Sequence, residues 1–354
     1  MNRESHLFLA MKKINAHGHL LPYPNEIPKF MRDKKLFWVD DDRKFMRQES
    51  WLRPITDASF FLEEKLIWME KNKIDHAVLL TLSQLYCNKL NIHDTQDVIQ
   101  FQNDYHAEIQ HKNPGKFTCG FVVQPRFVEQ ALLEIERNVT KNNLRLLCLP
   151  THFLGQDEQW TSVADELVFP IYELANYYGL SIEIHPYDGN EMVNLADKFW
   201  RFHLVWMCAQ TADTHHLYTL MGIYKKFPQI RTCFAHANML GQANYGRRMQ
   251  GFLGRPDLFN HTESPEQANG HPNIFFDTLV HDSETFRLLV NRAGANQLVA
   301  GLDDPYPLGE METVPGCYPG KVIDEALDLN IINAEQHQDI WCKNVLNWLG
   351  KTQV

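Results

Sequence analysis

His17 and His19 are separated by one residue and close the segment Lys13-Ile14-Asn15-Ala16. In a strand, residues i and i+2 point to one face, so both imidazoles can hold the same ion. Three more apolar or β-branched segments stop at a potential metal ligand. Ser181-Ile182-Glu183-Ile184 ends at His185, Arg231-Thr232-Cys233-Phe234-Ala235 at His236, and Leu298-Val299-Ala300-Gly301-Leu302 at Asp303. Imidazoles with one carboxylate make a borderline-soft donor set that suits Zn2+ first, and Fe2+, Co2+ or Mn2+ after it. With His17, His19, His185 and Asp303 as ligands there is room for water, whose pKa zinc lowers to about 7. His236 is then a fourth nitrogen ligand or the general base that takes a proton from that water. The two aspartates Asp303 and Asp304 diverge if the strand persists, so one of them reaches the ion. Asp303 continues the strand, whereas Asp304, just before Pro305, reads as a turn and helix cap.

A histidine on a half-buried strand is usually satisfied by hydrogen bonds, so the pair at 17 and 19 means little without elements that bring the other ends beside it. Short β-branched or apolar runs predict strands at 12–18, 76–82, 117–123, 144–149, 181–185, 231–236, 273–278 and 297–302. Apolar residues at three-to-four spacing predict helices over Ala58 to Lys73, Asp94 to Lys112, Val128 to Lys141, Val163 to Tyr178, Thr214 to Lys226 and Glu284 to Ala293. Eight strands alternating with helices predict an α/β protein, a (β/α)8 TIM barrel, in which every strand's carboxyl end opens on one face. A doubly wound open sheet is the competitor, but no GxGxxG follows the first strand. Residues 1–354 read as one domain without repeat or linker. It carries insertions at about 20–57, after the first strand, and about 186–213, after the fifth; long loops at that face usually shape an active site.

Composition excludes several function classes. With 34 Lys and Arg against 44 Asp and Glu, the formal charge is −10. That argues against the basic surface needed by nucleic acid or an anionic membrane, and requires local basic residues to hold any small carboxylate substrate. Seven cysteines without a CxxC pair predict reduced, mostly buried thiols and a cytoplasmic location. The run Leu7 to Met11 is too short for a signal peptide, and no apolar stretch is long enough to span a membrane.

Together these residues resemble the amidohydrolase superfamily, and within it the carboxymuconate-semialdehyde decarboxylases and related zinc decarboxylases. The matching pieces span nearly the whole chain: His17-Gly18-His19-Leu20-Leu21-Pro22, Thr151-His152, His185-Pro186, Phe234-Ala235-His236, Arg255-Pro256-Asp257-Leu258, Asp277 with Leu279-Val280-His281-Asp282, and Gly301 through Glu310. The last of these and the Arg-Pro-Asp-Leu run are the most specific. The resemblance implies a zinc-dependent barrel that releases carbon dioxide from a small unsaturated acid without oxidising it. His17, His19, His185 and Asp303 match its metal ligands, and His236 the histidine that assists the bound water. Arg255 matches an arginine lent by the neighbouring subunit to a substrate carboxylate, which implies a homodimer. A second arginine of the family falls in the loop after the first strand, where Arg47, Lys44 or Arg43 is the counterpart. The chain departs from the family at Tyr187 in place of a Trp within His185-Pro186-Tyr187-Asp188, at His203 in place of a Trp, and at Asp304 in place of a Tyr. A neighbouring substrate is therefore an alternative, as are hydrolysis of an amide, ester or lactone and decarboxylation of an aromatic acid.

Overall fold

The structure, a computed structural model, describes residues 12–42, 44–48, 51–188 and 198–354. Arg43 and the run Leu7 to Met11 lie outside them. Eight parallel strands follow one another around a barrel: β1 Ile14–Gly18, β2 His76–Leu79, β3 Phe117–Val122, β4 Leu146–Pro150, β5 Ser181–His185, β6 Arg231–Phe234, β7 Ile274–Asp277 and β8 Leu298–Val299. All eight predicted strands are present, and the TIM-barrel expectation is met. The ring closes between β8 and β1 through Ala16 N–H to Ala300 O (2.6 Å), Asp303 N–H to His17 O (2.7 Å) and His19 N–H to Asp304 O (2.9 Å).

Parallel strands buried on both faces need apolar side chains on both. On β5, Ile182 and Ile184 face outward into the buried cluster that also holds Phe234 and Tyr172, while Ser181, Glu183 and His185 take the alternate, inward face. Ile14, Val78, Leu146, Cys148, Phe275 and Val299 belong to a second buried cluster, which Trp348 joins. Trp348 Nε1 donates to Ile182 O (3.1 Å) and its carbonyl accepts from Ser181 Oγ (2.7 Å), so the helix Lys343–Leu349 seals the amino-terminal end of the barrel. The opposite end, where the strands stop at His and Asp, is left for chemistry. The seven cysteines are unpaired, with Cys87, Cys119, Cys148 and Cys233 buried. Among the described residues no helix is long and apolar enough to cross a membrane.

The first insertion carries the helix Lys29–Asp33 and an antiparallel sheet of Trp38–Val39, Phe45–Gln48 and Trp51–Pro54. The second is described only at 186–188 and from 198, where one π-helical turn, Phe202–Trp206, runs into the helix Met207–Leu220. This helix starts earlier than the expected Thr214 and stops before Lys226, with Ile223–Lys226 a separate turn. Its buried positions are more than half polar: Gln210, Thr211, Thr214, His215 and Thr219 beside Met207, Ala212, Tyr218 and Leu220. A periodicity carried by polar residues is invisible to a hydrophobic reading. A hairpin, His152–Leu154 with Trp160–Ser162, was not anticipated either.

Candidate metal centre

His17 and His19 leave β1 on its inward face, where His17 Nε2, His19 Nε2 and Asp303 Oδ1 approach. Asp303 Oδ1 is 3.2 Å from His19 Nε2 and 3.6 Å from His17 Nε2. Two donor sets share His17: His17, His19 and Asp303 form one, and His17, His185 and His236 the other. Within each, the candidate ligand atoms lie within 4.8 Å of one another. The structure thus brings together all five residues that the sequence singled out for metal and proton chemistry.

Three of these imidazoles are oriented from behind. His17 Nδ1 donates to Asp277 Oδ2 (2.8 Å), His19 Nδ1 to Leu80 O (3.2 Å) and His185 Nδ1 to Pro186 O (2.8 Å). With Nδ1 engaged as donor, Nε2 carries the lone pair, the arrangement that metal-binding histidines usually show. His17 Nε2 is buried and has no hydrogen-bond partner among the described residues. An unpaired buried acceptor facing two imidazoles and a carboxylate fits a divalent transition metal and little else.

Without a cation, the carboxylates around His17 favour a second proton on its ring, at the Nε2 position that a metal would take. Burial opposes charge on His17, but the hydrogen bond to Asp277 and the charge of Asp303 prevail, and its pKa is raised to about 9. Burial opposes ionisation of Asp303 as well; the close approach of the His19 ring and the nearby His17 outweigh it and hold the carboxyl well below the usual range. His185 is kept neutral by burial and by the neighbouring imidazoles. Burial also lowers His236, to about 4, so it is a free base at neutral pH. Glu183 lies one inward step below His185, and burial pushes it up to about 8. It stays protonated at pH 7 and adds no second negative charge beneath the ligands.

Two of the five positions rest on unusual backbone. Asp303 has φ +52°, so the chain has already left the strand where the sequence reading kept it extended. His236, Ala237 and Asn238 are three consecutive left-handed residues, at φ +54°, +56° and +48°. Such conformations are costly outside glycine and persist where surrounding contacts over-determine them. Here Asp277 supplies those contacts, accepting from His236 N–H (2.9 Å) and Ala237 N–H (2.7 Å). Asp304 is no turn cap. It is fully buried, bonded to Asn15 and Lys65, because the chain turns it back under β1.

The cluster lies at one end of a cavity whose walls include Leu82, Met207, Leu279, Tyr306 and Leu308. Among the described residues lining it, Arg53 is the single Lys or Arg. Arg53 Nη2 contacts Asp188 Oδ2 (3.2 Å) and His203 Nε2 (2.6 Å), and the guanidinium lies 5.4 Å from the Tyr306 ring centre. Arg47 is not brought to the cavity. In the hairpin, Arg47 pairs with Leu52 and Met46 with Arg53, so the two arginines occupy opposite faces. Met46 is fully buried and Leu52 is 48% exposed, which sets Arg53 inward, while Arg47 is engaged by Asp40 (2.7 Å). Lys44 is exposed. Arg255 lies on the surface, bonded to Asp257 (2.9 and 2.8 Å). Sequence reasoning assigned no role to Asp277, Lys65 or Arg53. Asp277 carried the signal used elsewhere, since Ile274-Phe275-Phe276 is an apolar strand that stops at a carboxylate.

A parallel barrel with imidazoles and a carboxylate converging at its carboxyl-terminal mouth defines a metal-dependent barrel enzyme. The amidohydrolase family profile matches residues 14–314, and the chain belongs to that family. It is similar to 2-amino-3-carboxymuconate-6-semialdehyde decarboxylase of Dictyostelium discoideum, 27% identical over 351 residues, covering 96% of this chain and 91% of the relative. The Caenorhabditis elegans protein of the same name is 24% identical, with 96% and 94% covered. Among solved structures, 5-carboxyvanillate decarboxylase from Sphingomonas paucimobilis superposes with a TM-score of 0.74 at 17% identity, covering 97% of this chain and 100% of that one. The two relatives of that name bear out the expectation of a decarboxylase, and the solved structure that of the barrel.

Proposed function

We propose that the chain removes carbon dioxide, without oxidation, from a small unsaturated carboxylic acid, 2-amino-3-carboxymuconate-6-semialdehyde before others. The divalent metal is zinc by first choice. The observation that carries this reading is the convergence of His17, His19, His185 and Asp303 at the end of a largely apolar cavity that also holds Arg53. The names of the 27% and 24% identical relatives support the substrate.

Losing carbon dioxide leaves an electron pair on carbon, and a conjugated acid has no sink for it until a proton or nucleophile has altered the conjugation. A divalent ion in this donor set supplies Lewis acidity and lowers the pKa of water at the site. His236, neutral at pH 7, takes a proton from water as the oxygen adds to the carbon next to the one bearing the departing carboxylate, and passes it to that second carbon; loss of carbon dioxide then restores the double bond and expels hydroxide, which is protonated from solvent. Arg53 engages a carboxylate of the acid, since its paired N–H donors match carboxylate geometry, and so fixes which carbon faces His236. Asp277 keeps His17 and His236 in register with each other.

In this reading the enzyme works as a homodimer, with Arg255 reaching the neighbouring subunit's cavity. Pro256 follows it and stiffens the loop that would carry the guanidinium across. The apolar cavity walls also favour an aromatic acid as the next candidate substrate. Metal analysis of the purified protein, combined with carbon dioxide release from carboxymuconate semialdehyde, hydroxybenzoates and lactones, tests the proposal. A ring-opened acid with no gas would assign the site to hydrolysis instead.

A further inference from the structure

We infer that Lys65 and Asp304 are a buried positioning pair that sets the distance between the two halves of the ligand set, His17 and His19 on one side and Asp303 on the other. The inference rests on the metal centre proposed above. Both side chains are completely buried and bonded to each other. Lys65 Nζ also donates to His19 O (3.2 Å), and the second oxygen of Asp304 accepts from Asn15 Nδ2. Asn15 Oδ1 in turn accepts from His17 N–H (3.0 Å) and from Leu302 N–H (3.1 Å). One polar network therefore holds the backbone of both histidines and of the residues on either side of Asp303.

Its location explains why it is needed. The pairing of β1 with β2 slips between Asn15 and Gly18, within the stretch that carries His17. β8 is regular only to Val299, and beyond it the backbone link to β1 is reduced to an isolated bridge with the bonds Asp303 N–H to His17 O and His19 N–H to Asp304 O. The network reinforces that short ladder. Gly18 gives independent support. A Cβ on that residue would lie 2.6 Å from Asp304 Oδ1, 2.9 Å from Asn15 Nδ2 and 3.4 Å from Lys65 Nζ. The residue between the two histidines must be glycine because the pair sits against it.

A buried ion pair is weak support for stability, since apolar residues of similar volume often hold a fold as well. Apolar residues cannot reproduce directed bonds to His19 O and Asn15, so the expected loss is in metal geometry. The test is the double variant Lys65→Met with Asp304→Leu, which removes both charges together. Metal affinity is read by chelator competition, coordination by the d–d spectrum of the Co2+-loaded protein, and stability by the Tm of the metal-free form. We expect a folded protein whose metal binds roughly 10–100-fold more weakly, the range for losing groups that orient ligands, with a shifted Co2+ spectrum. Ile171→Ala, in the buried face of the helix Phe169–Tyr177, is the control for lost stability alone and should move Tm without moving the spectrum.

Wild-type affinity and spectrum in a folded double variant would overturn the inference. If the double variant does not fold, Asp304→Asn carries the same readouts: a weaker site supports the pair, and an unchanged one overturns it. A wild-type protein that binds no metal would instead remove the metal centre itself, a distinct outcome.

Discussion

Asp277 Oδ2 lies 2.8 Å from His17 Nδ1 and also accepts the His236 N–H at 2.9 Å. One carboxylate thus orients a candidate ligand and pins the left-handed turn that presents the candidate base. Asp277→Asn places an amide where four donors converge, His17 Nδ1 and the N–H groups of His236, Ala237 and Leu279, so at least one N–H loses its acceptor. Metal affinity should fall about 10–100-fold, and activity at saturating metal should stay low because His236 is displaced as well. Chelator competition followed by turnover at excess metal separates the two effects. Full activity at saturating metal would leave Asp277 with its ligand role only.

His236→Ala should retain metal and lose most activity, by roughly 10²–10⁴-fold, the usual contribution of a positioned general base. Metal content by mass spectrometry beside the rate of carbon dioxide release decides it. A metal-free His236→Ala protein would make His236 a ligand, as its membership of the donor set with His17 and His185 also allows.

The two arginines of the first insertion should separate in kinetics. Arg53→Gln should raise KM about 10–100-fold, the worth of one hydrogen bond to a charged group. Arg47→Gln, on the opposite face of the hairpin and paired with Asp40, should change KM much less. The reverse order would return the carboxylate contact to Arg47.

Arg255→Ala chains and Asp303→Ala chains should each be inactive alone. Mixed, they should recover about a quarter of wild-type activity, because random exchange makes half the dimers mixed and each has one complete site of two. Native mass spectrometry confirms exchange. Exchange without recovery would leave Arg255 with its local partner, Asp257.

His76 predicts a pH dependence of stability. Burial lowers its pKa from 6.5 to about 4; the Nδ1 hydrogen bond to Gly115 O opposes the shift, and the charges of Lys351, Lys12 and Lys116 add to it, while Nε2 accepts from the Thr118 hydroxyl. The unfolded chain therefore binds a second proton first, and stability is lost as pH falls from 6.5 towards 4. The full effect is about 3 kcal/mol for a shift of this size. Denaturant titrations across that window should fall less steeply for His76→Gln than for wild type. Parallel slopes would refute the assignment.

The barrel and most of its centre could be read from the chain because both rest on local patterns. Eight apolar runs separated by helical periodicity are visible residue by residue, and a strand that stops at His or Asp announces a ligand wherever the strands open on a common face. His17, His19, His185, His236 and Asp303 were found that way. What the pattern cannot contain is which face a polar residue takes when no hydrophobic neighbour marks it. Lys65 reads as a solvated lysine on an amphipathic helix, yet it shares its inward face with Met69 and is fully buried. Arg47 and Arg53 are equivalent as loop arginines until the register of a hairpin sends one inward and one out. Asp304 looks like a turn residue until the chain folds it back beneath β1. Sequence alone determined which residue types stand at the strand ends, because that depends on spacing along the chain. Only the tertiary structure decided which charges meet, because pairing between residues 15, 65 and 304 depends on contacts that no local period encodes.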